Sequence, residues 1–167
     1  MDRQELIRNM REEISVPKDA GEYEKDLKEI LERIPAGWGK WISCDKGWYK
    51  LLAETNDLLK YMCPNYEVHQ VKEKFGELRY YFSMPKMQDD DEFDKETFEK
   101  IYKIMRAIAA RAEDKSTHIC ESCGEFGQIR DSNHWLKTLC YYCAKEQDYP
   151  VEDWEEARYS SKSSNDN

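Results

Sequence analysis

Residues 120–143 read CESCGEFGQIRDSNHWLKTLCYYC, two Cys-x-x-Cys pairs separated by sixteen residues. That separation falls in the window for a four-cysteine zinc site. A Cys-x-x-Cys turn aims two thiolates at one metal, and Gly124 suits the left-handed backbone such a turn adopts. Cys120, Cys123, Cys140 and Cys143 are therefore the expected ligands of one structural Zn²⁺. Between the pairs, Gln128 to Arg130 and Trp135 to Leu139 can form a hairpin across Asp131-Ser132-Asn133, the layout of a zinc ribbon. Four thiolates would close the tetrahedral shell and leave no position for water or substrate. Two readings compete: working dithiols, and His118 or His134 in place of one cysteine.

Outward from this module, Asp94 can cap a helix to about Asp114, with Phe98, Ile101, Tyr102, Met105, Ile108, Ala109 and Ala112 as its inner stripe. Before it, Tyr66 to Lys72 and Leu78 to Ser83 are rich in β-branched and aromatic residues around Phe75-Gly76, which predicts a β-hairpin. Val68, Val71, Leu78, Tyr80 and Phe82 would face the core, and Lys72, Glu73, Lys74 and Glu77 would crowd the tip. Helical spacing at Leu51, Leu52, Thr55, Leu58, Leu59 and Met62 predicts a helix over 48–62, stopped by Pro64. Residues 2–14 (Leu6, Ile7, Met10, Ile14) and 21–34 (Tyr23, Leu27, Ile30, Leu31, Ile34) read as two shorter amphipathic helices.

The expected fold is α+β, with helices packed on an antiparallel β-hairpin and a C-terminal zinc ribbon. Its parts are a core domain over 1–115, the ribbon over 116–147, and an acidic, Ser-rich tail over 148–167 with a disordered end.

The chain has 167 residues, 40% of them apolar, enough for one core with a metal-stapled appendage. No apolar stretch reaches bilayer length, and Met1 to Glu5 lacks the core of a signal peptide. With no export signal, six cysteines favour metal over disulfides, and a cytoplasmic location is expected. The net charge of −9, to which four thiolates and one Zn²⁺ would add a further −2, argues against duplex nucleic acid. A protein partner fits this charge better.

No Walker loop, HExxH, GxSxG or dinucleotide fingerprint occurs. Cys44, Cys63 and His69 could be imagined as a second metal site or a Cys–His pair, but lone cysteines are more often small buried hydrophobes, and Cys44-Asp45 lies beside the Trp-rich loop, where a pocket could form. Trp38, Trp41, Trp48 and Tyr49 could stack a base beside Lys72, Lys74 and Arg79 gripping an anion, which keeps nucleotide binding as an alternative. The run Asp89-Asp90-Asp91-Glu92 reads as a solvated loop or a contact for a basic partner.

Three segments together, Cys44-Asp45-Lys46-Gly47-Trp48-Tyr49, Gln70 to Tyr81, and Cys120 to Gly124 with Trp135 to Cys140, resemble a group of small uncharacterised bacterial and bacteriophage proteins. The likeness spans about residues 38–145. It implies a bacterial or phage setting and supports the ribbon, without carrying any catalytic residue. The functional expectation is a non-enzymatic, zinc-stabilised protein acting by protein–protein contact, with a host or defence protein as partner. Nucleotide or nucleic-acid sequestration and a small enzyme are the alternatives, and self-association stays open.

Overall fold

A computed structural model of the chain describes residues 2–86 and 94–160, so the Asp89–Glu92 run and the end of the tail lie outside the described residues. The chain is mixed α+β, with helices around two small sheets.

Helix α1 spans Arg3–Glu12, its first turn capped by the Asp2 carboxylate accepting from the Glu5 N–H. Its apolar face does not enter the core, since Leu6, Ile7 and Met10 are all exposed. The strand-like segment after it does so instead. The Ser15 N–H donates to the Lys40 carbonyl, and Ile14 and Val16 pack against the core. Helix α2, Glu24–Glu32, buries Leu27, Ile30 and Leu31 as its spacing predicts. Helix α3, Tyr49–Met62, buries Leu51, Leu52, Thr55 and Leu59. Leu58 was expected on that stripe but lies outside it, 54% exposed.

Strands β1 (Ile42–Ser43), β2 (Glu67–Lys74) and β3 (Glu77–Ser83) form one sheet in the order β1-β2-β3. The β2–β3 hairpin is antiparallel and turns on Phe75 and Gly76, both at positive φ, the twist that a two-residue hairpin turn requires. Val68, Val71, Leu78, Tyr80 and Phe82 are buried, as the alternation predicts. Strand β1, which pairs in parallel with β2, was not expected.

Helix α4, Lys95–Ser116, starts at the Asp94 cap and buries Met105, Ala109 and Ala112. Tyr102, expected on the same stripe, is exposed. This helix also protects the sheet's free edge, because Ser116 Oγ accepts from the Leu78 N–H (2.8 Å) and Glu113 Oε1 from the Tyr80 N–H (3.3 Å). Beneath it, the Tyr66 hydroxyl donates to Asn56 Oδ1 and shares a 2.8 Å hydrogen bond with the Tyr80 hydroxyl.

The C-terminal part contains β4 (Gln128–Ser132), β5 (Trp135–Leu139), α5 (Tyr141–Glu146) and α6 (Asp153–Tyr159). The β4–β5 turn is Asn133-His134, both at positive φ, one residue later than the sequence suggested. Helix α6 occupies part of what was read as tail, and its Glu155 is buried.

Hydrogen bonds to the turn before α3 and to the β2–β3 hairpin lock this part to the core. The Trp48 indole N–H donates to the Ile119 carbonyl (2.7 Å), the Gly47 N–H to the Glu121 carbonyl (2.7 Å), and the Thr138 hydroxyl to the Gly76 carbonyl (2.6 Å). The hairpin tip is thus docked at buried Gly76, although Phe75 and Lys74 beside it remain exposed. At Gly47 the approach is so close that a Cβ would lie 2.1 Å from the Cys120 carbonyl oxygen and 2.4 Å from that of Glu121. Both obstacles are backbone, so Gly47→Ala is expected to cost about 1–3 kcal/mol, read as a lowered midpoint in denaturant unfolding.

Candidate metal centre

The first Cys-x-x-Cys pair sits in a tight loop. The Cys120 N–H donates to the Glu125 carbonyl (2.7 Å), and the Gly124 N–H to the Cys120 carbonyl (2.8 Å), with Gly124 at φ 85°. The second pair opens α5: Cys140 is its N-cap, and its sulfur accepts from the Cys143 N–H at 3.4 Å. Strands β4 and β5 connect these two anchors and bring the pairs together.

The four Sγ atoms lie within 4.8 Å of one another, with Cys123 and Cys140 at 3.6 Å. Thiolates around a tetrahedral metal at about 2.3 Å would stand about 3.8 Å apart, so the donor set fits a single ion of zinc's size. Among the described residues it is the only such grouping of His, Cys, Asp and Glu.

Burial pushes the Cys120 thiol up, but hydrogen bonds from the Cys140, Cys123 and Ser122 backbone and the Cys123 thiol bring it below its usual value. Cys123 is pushed up to about 11, burial again being the largest cause, and Cys143 is raised for the same reason. The Cys120 thiolate is thus favoured, and those of Cys123 and Cys143 are not. A cation is what would let all four ionise together.

Cys44, Cys63 and His69 form no such group. Burial, reinforced by Glu121, Asp45 and Glu73, raises the Cys44 thiol strongly, which is unsuited to a nucleophile. His69 shares a 2.8 Å hydrogen bond with Ser83 Oγ and packs on Trp38 at 5.3 Å. His118 stacks on Phe126, and His134 occupies the β4–β5 turn; neither joins the sulfur cluster.

The residues singled out for stacking or anion binding separate into two groups. Trp48 and Tyr49 are buried core residues, Tyr49 donating its hydroxyl hydrogen to Asp19, so neither offers a stacking surface. Trp38 and Trp41 are half exposed, and Lys72, Lys74 and Arg79 lie along the β2–β3 hairpin.

Within the first pair, Glu121 is almost fully buried. Its Oε1 accepts from the Asp45 N–H (3.1 Å), while Oε2 has no partner among the described residues. Burial, then the Asp45 charge, pushes its carboxyl up to about 7. Asp45 in turn pairs with Lys137 at 3.4 Å.

Sequence reasoning missed a depression beside the sulfur cluster. It encloses about 440 Å³ and is walled by Phe126, Tyr141, Tyr142, Trp154 and Tyr159, with Cys140 on its lining. The rings of Tyr141, Tyr142 and Tyr159 pack together with centroids 5.0–5.8 Å apart. At its base, the Arg130 guanidinium and the Glu155 carboxylate form a buried two-pronged ion pair, one prong at 2.5 Å and the other at 2.9 Å. The acidic start of α6, with Glu152 and Glu155 in capping-box spacing, was the available sequence signal. Compared with known proteins, the chain matches no family model, no curated protein and no solved structure.

Proposed function

We propose that the four cysteines hold one structural zinc ion in a ribbon-like module, and that the protein is a non-enzymatic binder acting by protein–protein contact. Zinc is favoured by the all-sulfur donor set. Its closed shell would make the ion a staple of the fold and not a reaction centre.

The observation that carries the binding reading is the aromatic depression. Phe126, Tyr142 and Trp154 are each more than half exposed on one cavity's walls, a concentration of large apolar surface that monomeric domains seldom leave uncovered. Tyr and Trp in such a setting are the residues that dominate interface energetics. The acidic chain favours a partner with a basic rim. The partner in this proposal is a host or defence protein.

Tagged wild-type protein is expected to recover a stoichiometric partner from bacterial lysate. The Tyr142→Ala/Trp154→Ala variant should weaken that capture at least about tenfold while melting normally, since both side chains are exposed. A wild type that recovers no stoichiometric partner, or a variant that recovers it undiminished, would sink this reading.

A further inference from the structure

Among the described residues, the apolar core packs on one face of the three-stranded sheet. Val68, Val71, Leu78, Tyr80 and Phe82 lie in the core, and alternation sends the intervening residues outward. On that outer face Gln70 pairs with Tyr81, Lys72 stands between Ser43 and Arg79, and Lys74 pairs with Glu77. Tyr81, Lys74 and Ser43 are exposed.

Two tryptophans join this face from the segment leading into β1. The Trp41 indole lies over Gly39, where a Cβ would come within 1.6 Å of the ring, so glycine at 39 is what lets the indole rest there. Trp38 packs on His69, which is bonded to Ser83 at the end of β3. Both indoles keep half their surface in solvent. Arg3 and Arg8 line a shallow groove with Gly37, next to Trp38.

Placing Lys72 directly across from Arg79 costs stability, because like charges on opposed strand positions repel. Glu77 offsets this in part by pairing with Arg79 at 2.6 Å. Lys72 has no ion-pair partner among the described residues and rests 5.7 Å from the Tyr81 ring. Although the chain carries −9 overall, this face sets Lys72, Lys74 and Arg79 against Glu67 and Glu77. Tyr81 and Arg79 are alternate residues of β3 and so stand about 7 Å apart along the strand. That separation suits a base and its own backbone phosphate.

We infer that this sheet face binds a short single-stranded nucleic acid, with bases stacked on Trp38, Trp41 and Tyr81 and phosphates held by Lys72, Lys74 and Arg79. Rings without hydrogen-bonding partners read the faces of bases, which only an unpaired strand presents. The acidic remainder of the chain limits the contact to a few nucleotides and disfavours duplex. The site uses none of the residues of the aromatic depression, so it stands or falls independently of the protein partner proposed there.

The test is fluorescence anisotropy of a labelled oligothymidylate of about ten nucleotides with the full metal-loaded chain. Saturable binding is expected, weakened about tenfold by each of Tyr81→Ala, Trp41→Ala and Lys72→Glu. Lys28→Glu on the exposed side of α2 should leave it unchanged. All four variants should melt like the wild type. Three phosphate contacts predict a loss of about twentyfold between about 50 and 200 mM salt. The inference is overturned by absence of saturable binding, or by binding that Tyr81→Ala and Lys72→Glu do not change. It is equally overturned if thymidine monophosphate or polyglutamate competes as well as unlabelled oligomer, since the site would then take a mononucleotide or any polyanion.

Discussion

Cys140→Ser is expected to unfold the C-terminal module and to take part of the core with it. Serine is as good a helix cap as any residue, so the substitution leaves the start of α5 its cap and removes only the proposed metal ligand. The proposed zinc is worth about 10–16 kcal/mol of apparent binding energy in small four-ligand modules at neutral pH, and that binding energy is folding energy. The module's own apolar core is small: its buried cluster is Cys120, Leu139, Cys140 and Ala144, two of them proposed metal ligands. Damage should spread because Trp48, Gly47 and Gly76 are bonded to the module's backbone or side chains. Losing even about 5 kcal/mol would lower the melting temperature by roughly 10–20 °C in a domain of this size. The wild type should contain about one zinc per chain by elemental analysis, and strong chelators should reproduce the Cys140→Ser melting curve. A metal-free preparation that melts like the untreated protein would refute both the zinc assignment and its structural role.

How far the sequence reveals this fold depends on whether an element's signal is local. Helix α4 was legible from Asp94 and the recurrence of Met105, Ala109 and Ala112, and the β2–β3 hairpin from alternation around Phe75-Gly76. Strand β1 was not, because two residues carry no period and its pairing partner lies about thirty positions away. Helical spacing also shows that a face is apolar without showing that anything covers it, which is why Leu6, Ile7, Met10 and Leu58 were misplaced. The aromatics near residues 38–49 looked alike as composition. The tertiary bonds from Trp48 to Ile119 and from Tyr49 to Asp19 separate the buried pair from exposed Trp38 and Trp41. At the metal centre, Cys-x-x-Cys spacing is itself the geometric constraint, so the sequence named the cluster that the fold assembles. The aromatic depression could not be named in that way, since α6 is held by tertiary contacts, the buried ion pair of Glu155 with Arg130 and the contacts of Glu156 with Tyr141 and Lys145.

That ion pair supplies the second large effect. Arg130 and Glu155 have side chains only 3% and 5% exposed, and Arg130 also donates to the Leu139 and Pro150 carbonyls. Arg130→Met should therefore cost about 3–5 kcal/mol, because it strands a buried carboxylate and leaves two carbonyls short of a donor. The double variant Arg130→Met/Glu155→Leu should recover much of this loss, since an apolar pair of similar volume needs no desolvated charge. Chemical denaturation of the wild type, both single variants and the double would measure the coupling directly. A single variant no less stable than the wild type would show that the pair is solvated in solution. Acid offers an independent check with a fixed sign. Hydrogen bonding from Arg130, against the opposing effect of burial, holds the Glu155 carboxyl below its ordinary value. The folded chain then binds this proton less readily than the unfolded chain does. Its contribution is complete above the unfolded carboxyl value of about 4.3 and fades as pH falls through the lower folded value. Glu155→Gln should remove that part of the acid sensitivity, narrowing its stability gap from the wild type as the pH is lowered below about 4. Since α6 forms one wall of the aromatic depression, the same variants should also weaken partner capture, and by more than their melting curves alone would predict if Arg130 holds that wall in place.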